Sequence, residues 1–152
     1  MDNMKKLIII ILLGLLGCGP ESNEEKKYDY SVVNNSGVTV EIRPLVNGVK
    51  EINNKITLEN GKVLNKKLTD HAPYGGFSMG SLFTTTGCCL THLEITFNNS
   101  KKVIYTPCNE TFNCNTQPRN IFGSEFNNEQ TEIYTITADD YQNAIDCGGN
   151  CN

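Results

Sequence analysis

The chain has no tryptophan and only two histidines, His71 and His92, among its 152 residues. Without indole faces the usual aromatic platform of a sugar-binding domain is missing, and carbohydrate contact would fall to Tyr74, Phe77 or Tyr141. The chain also has no C-x-x-C pair and no histidine pair, the usual frames of a zinc site. Cys88, Cys89 and His92 are the nearest approach to a ligand set, and neither a metal nor a cofactor is expected. Positive charge is short as well, with 13 basic residues against 17 acidic ones. That balance offers no electrostatic footprint for phosphates, so nucleic acid and anionic lipid headgroups are poor partners. No internal repeat, nucleotide-binding loop or catalytic signature is present. Finally, the strongest apolar run, Leu7 to Leu16, has about ten residues, half of the roughly 20 that a spanning helix needs.

That short run follows Lys5 and Lys6 and ends in "LLGC", Leu15 to Cys18, the layout of a secretory signal. The junction resembles the lipobox of bacterial lipoproteins, with Leu16 bulkier than the pattern prefers. The resemblance implies removal of residues 1–17 and acylation of Cys18 at its sulfur and its freed amine. Several acyl chains hold a protein firmly to a membrane, whereas one holds it marginally. Gly19 stands where an aspartate would signal inner-membrane retention in such lipoproteins, so the resemblance implies the outer membrane. Glu21, Glu24 and Glu25 are similar to the acidic export signal of surface-displayed lipoproteins, and they read equally as a solvated tether. Display at the cell surface and a periplasmic-facing position both follow. The expected organisation is a signal peptide at 1–17, a lipid anchor with an acidic tether at 18–28, and a single β-rich domain at 29–152. Losing Asp2, Lys5 and Lys6 with the signal leaves 11 basic and 16 acidic residues.

With Cys18 committed to lipid, Cys88, Cys89, Cys108, Cys114, Cys147 and Cys151 remain. An even number in an exported chain implies disulfides. Adjacent Cys88 and Cys89 are badly placed to bond each other, so each is expected to pair elsewhere. A hairpin of Leu90 to Phe97 with Lys102 to Pro107, turning at Asn98 to Lys101, would bring them near Cys108. The expected pairing is therefore Cys88 and Cys89 with Cys108 and Cys114, and Cys147 with Cys151 across "CGGNC".

The rest of the chain reads as about eight short strands between turns. Val38, Val40 and Ile42 alternate with Thr39 and Glu41, and Leu93, Ile95 and Phe97 alternate with His92, Glu94 and Thr96. His92 is thus expected to point away from the core. Asn47-Gly48 and Asn60-Gly61 are strong hairpin signals, since both residues tolerate positive φ. The strands they join, including Ile56 to Leu58 with Val63 to Leu68, should be antiparallel neighbours. Ile133 to Thr137 reads as a last strand before a short helix, with Thr137 and Asp140 as its cap. These features predict an all-β, antiparallel β-sandwich or partly closed barrel, disulfide-stapled, with a short C-terminal helix. Asn109 to Gln130 is the longest stretch without a pattern, and such loops are commonly functional or mobile.

"VVNNSG", "ITFNNSKKVIYT" and "ITADDYQNA" make the body similar to small asparagine-rich surface lipoproteins of unknown role. That resemblance implies a β-rich body and transfers no active site. "HAPYGGFSMGS", with Tyr74 and Phe77 around two glycines, is a candidate binding loop, though glycines there also permit a simple bend. Asp139 and Asp140 read as helix-start residues in preference to an acid/base pair. The leading function is a non-enzymatic, membrane-anchored lipoprotein that binds another protein or an extracellular polymer. An inhibitor or immunity protein against a hydrolase or toxin is the second reading, and a hydrolase using His71 or His92 the third.

Overall fold

The computed structural model describes residues 24–84, 90–127 and 129–151. Cys18, Cys88 and Cys89 lie outside the described residues. Two β-sheets enclose one core. The first holds three strands: β1 (Glu25–Asn35) in the centre, β5 (Val63–His71) antiparallel on one side and β8 (Thr131–Thr137) parallel on the other. The second runs in the order β3 (Val49–Lys50), β2 (Val40–Val46), β6 (Leu90–Phe97), β7 (Lys101–Tyr105) and β9 (Ile145–Asp146), with β4 (Ile56–Leu58) also on β2. All its pairs are antiparallel. The chain is therefore all-β in the sandwich form, and the short helix α1 (Ala138–Asn143) follows β8. Strand β1 begins inside the stretch read as tether, where Tyr28 already packs against Tyr30 of the domain.

The core is filled by residues two apart along each strand, as a half-buried strand requires. Tyr30, Val32, Tyr134 and Ile136 come from the first sheet, and Val40, Ile42, Leu93, Ile95, Phe97 and Tyr105 from the second. Asn34 is the polar exception. It continues the inward series of β1, is wholly buried, and donates to the carbonyls of Val38 and Leu58, both at 2.8 Å. Its Oδ1 accepts from Ser36 N and Oγ at 3.1 and 2.7 Å, so every polar atom of the amide is engaged. The "VVNNSG" motif thus ties β1 to the start of β2 and the end of β4.

Turn chemistry accounts for two hairpins. Asn47 and Gly48 take φ of 52° and 78° between β2 and β3, and Asn98 and Asn99 take 47° and 54° between β6 and β7. The Asn60-Gly61 turn forms, with Gly61 at φ 79°, but the expected hairpin does not. Strand β4 pairs with β2, β5 pairs with β1, and the turn carries the chain from one sheet to the other. A dipeptide fixes a local reversal only. The choice of partner follows the larger pairing, and nine residues of β5 find nine opposite them on β1 where β4 offers three. One pair departs from the antiparallel pattern: β8 returns from the second sheet after a long connection and lies parallel to β1. Strand β8 is also not the last, since β9 adds to β7 after the helix.

The alternation on β6 holds for direction but not for exposure. His92, Glu94 and Thr96 face away from the core, yet Glu94 and Thr96 are only 1% and 3% exposed. Strand β6 lies between β2 and β7, and Lys102 from β7 and Lys50 from β3, beyond β2, both reach Glu94 on it.

Candidate functional site

The connection from β7 to β8 is organised by a disulfide and by asparagines. Asn109 Oδ1 accepts from Thr111 N and Phe112 N, both at 2.9 Å, folding the segment so that Cys108 and Cys114 meet with their Cα atoms 4.7 Å apart. This bridge replaces the expected links from Cys88 and Cys89 to Cys108 and Cys114. A tight Asx-centred loop closes a six-residue separation more readily than the hairpin could reach across. Cys147 and Cys151 are bonded as expected.

Beyond the bridge, Asn113 caps the turn Cys114–Thr116 through Asn115 N, and Asn120 donates to Thr106 O at 2.9 Å and to Gln117 Oε1 at 2.8 Å. Gln117 Nε2 donates to Ile104 O at 2.6 Å. Residues 117–120 are thereby laid beside β7. Between them, Arg119 adopts φ of 51°. Its carbonyl accepts from Tyr134 Oη at 2.9 Å, its guanidinium lies 5.6 Å from the Tyr134 ring centroid, Nε donates to Asp140 Oδ1 at 2.8 Å, and Nη2 donates to Thr135 O at 2.6 Å.

Asp140 is placed by the helix start. Thr137 N and Oγ1 donate to its Oδ2 at 2.7 and 3.0 Å, while its own N–H reaches Thr137 Oγ1 at 3.3 Å, the reciprocal cap read from the sequence. The result is a groove of about 290 Å³ between β7, the Gln117–Arg119 segment and the end of α1. Val103, Tyr105, Pro118, Ala144 and Ile145 supply apolar surface, and Arg119, Lys102, Asp140 and Asn143 supply polar atoms.

Burial and hydrogen bonding shift three ionisable groups at and behind the groove. Burial pushes the Tyr134 hydroxyl far above its ordinary value, with Tyr105 adding to the shift, and burial also raises Tyr105. The two hydroxyls meet at 3.1 Å and stay protonated as hydrogen-bonding groups. The hydrogen bond to Asp140 raises Arg119 further, keeping it a fixed cation.

The loop chosen from sequence lies elsewhere. Tyr74 donates to Glu24 O at 2.5 Å, with Lys26 Nζ 4.1 Å from its ring centroid, and Phe77 packs edge-on against Tyr28 at 5.4 Å. Tyr30 Oη donates to Phe77 O at 2.9 Å, and Gly76 N donates to Asp70 Oδ2 at 2.7 Å. The loop therefore clasps the start of β1. Tyr141 packs against Phe97 at 5.6 Å. His71 ends β5 opposite Glu25. His92 is half-buried on the outer face of β6, and its Nδ1 has no hydrogen-bond partner among the described residues. The groove contains neither histidine.

Arg119 was not singled out by sequence reasoning. The available signal was an arginine beside a proline in a segment without hydrophobic period, which says nothing of where the guanidinium goes. No family model, curated protein or solved structure matches the chain.

Proposed function

We propose that this chain is a non-enzymatic lipoprotein, anchored to the outer membrane through acyl chains on Cys18 and displayed at the cell surface, whose β-sandwich binds another protein or an extracellular polymer. The observation that carries the binding reading is the groove beside Arg119, which joins apolar surface to a cation held in place by four structural contacts. Convergent polar groups over an apolar floor are the usual makeup of a recognition site. The start of β1 at Glu25 bears on the anchor. Six residues lie between Cys18 and Glu25, and seven chain steps of at most about 3.3–3.6 Å each keep the start of β1 within roughly 25 Å of the attachment point. Partners reaching it are then themselves at the membrane surface or in the layer outside it.

Cross-linking in intact cells, followed by denaturing purification and mass spectrometry, tests this reading. A discrete partner joined to residues bordering the groove is the expected result. A body shielded from protease added to intact cells would move it to the periplasmic face, and the absence of any specific cross-link would remove the binding role.

A further inference from the structure

Strand β5 is an edge of the three-stranded sheet over nine residues, and among the described residues its side away from β1 is open. Asn34 N donates to Lys62 O, whereas Asp29 N donates to Gln130 O on the opposite side of β1. By the register, the even-numbered residues of β5 therefore bond to β1, and the odd-numbered ones aim their N–H and C=O groups outward. The other edges are interrupted or short. On β8, Thr135 O accepts from Arg119 and Thr137 N donates to Asp140; on β7, Ile104 O accepts from Gln117; β3 and β4 have two and three residues. A long open edge is a template for a further strand.

Two charges on the inner face of this edge lack an opposite charge. Lys66 Nζ donates to Ser81 O and Thr84 O at 2.7 and 3.2 Å, which leaves its third N–H without an acceptor among the described residues. Asp70 Oδ2 accepts from Gly76 N at 2.7 Å, and no cation of the described residues forms a salt bridge with it. An inward lysine ordinarily blunts an edge against pairing. Here Asp70 stands four residues on, on the same face, and an antiparallel copy of the strand reverses their order.

We infer that β5 pairs antiparallel with β5 of a second copy, about a two-fold axis at Leu68. That register sets each Lys66 against the other copy's Asp70 and Leu68 against Leu68, while on the outer face Lys67 meets Thr69 and Asn65 meets His71. Registers centred on Lys66 or Lys67 set lysine against lysine, and one centred on Thr69 sets Leu68 against Asp70. Charge thus selects both the partner and the register. Residues 65–71 of the two copies exchange about eight backbone hydrogen bonds. One strand pair is a small interface, so association depends on concentration.

The test follows the full-length chain, in density-matched detergent micelles, by sedimentation equilibrium and amide hydrogen exchange from about 1 μM to about 1 mM. A monomer–dimer equilibrium is expected, with exchange at Asn65, Lys67 and Thr69 slowing as dimer forms. Lys66→Glu and Asp70→Lys should each weaken pairing at least about tenfold, since two attractive cross-strand pairs become two like-charge pairs. An equimolar mixture of the two should regain it, because each supplies the charge the other lacks. Thr69→Pro removes an outward N–H and no bond to β1, and it should abolish the dimer with the fold intact. A monomer throughout, a dimer with unprotected edge amides, protection independent of concentration, or a mixture of folded variants that pairs no better than either alone would overturn the proposal. Should a charge variant fail to fold, Thr69→Pro decides: a dimer that survives it is not made through β5.

Discussion

Lys50 Nζ donates to Glu94 Oε1 at 2.9 Å from a neighbouring part of the sheet, and Lys102 Nζ lies 3.6 Å from Oε2 on the other side. A carboxylate that is 2% exposed is thereby enclosed by two lysines, each about a third exposed. Since the lysines retain access to water, removing the acid leaves little stranded charge, whereas removing Lys50 leaves the acid with one distant partner. Glu94→Gln is therefore expected to cost about 1–2 kcal/mol, and Lys50→Met about 2–3 kcal/mol. Urea unfolding of the two variants checks the order; a neutral Lys50→Met would contradict it.

The bridge pattern is checked by a non-reduced digest. Linked peptides joining Cys108 to Cys114 and Cys147 to Cys151 are expected. Replacing either pair with alanine should lower stability by about 2 kcal/mol, since both close short loops and constrain the unfolded chain only modestly. A peptide joining Cys88 or Cys89 to Cys108 would contradict the fold of the connection after β7.

Alkaline pH should unfold the protein through its buried tyrosines. Burial lifts Tyr30 from 10.0 to about 12 and raises Tyr105 and Tyr134 as well. Below pH 10 both the folded and unfolded chains hold these protons, and the stabilisation is complete. Above it the unfolded chain releases them first, so stability falls as pH rises from 10 toward 12. Tyr134→Phe should lower the urea midpoint at pH 7, through loss of its bonds to Tyr105 and Arg119, and flatten the decline between pH 10 and 11.5. An unchanged alkaline slope would contradict the role given to burial. Glu41 acts in the opposite direction: the Lys55 and Arg43 contacts hold its carboxyl below 4.5, so its contribution fades as pH falls through that range.

Much of the fold was legible because it is local. The two-residue period marked β2 and β6, asparagine and glycine marked the turns, and Thr137 with Asp140 marked the helix start. Pairing between distant strands was not legible. Asn60-Gly61 reads as a hairpin because its dipeptide cannot report that β1 offers β5 a longer partner. Likewise, the alternation of Glu94 with Leu93 gives its direction but not the two lysines that cover it. The groove escaped altogether, since Arg119, Val103 and Ala144 come from three segments joined by tertiary contacts. Tyr74 and Phe77 attracted notice as aromatics around glycines, but the register of β1 places Lys26 and Tyr28 beneath them.

The proposed lipid anchor at Cys18 is open to direct measurement by metabolic labelling of cells with a fatty-acid probe. The wild-type protein should carry the label and Cys18→Ser should not, with both recovered as folded chains. Equal labelling of the two, or none in either, would contradict the anchor.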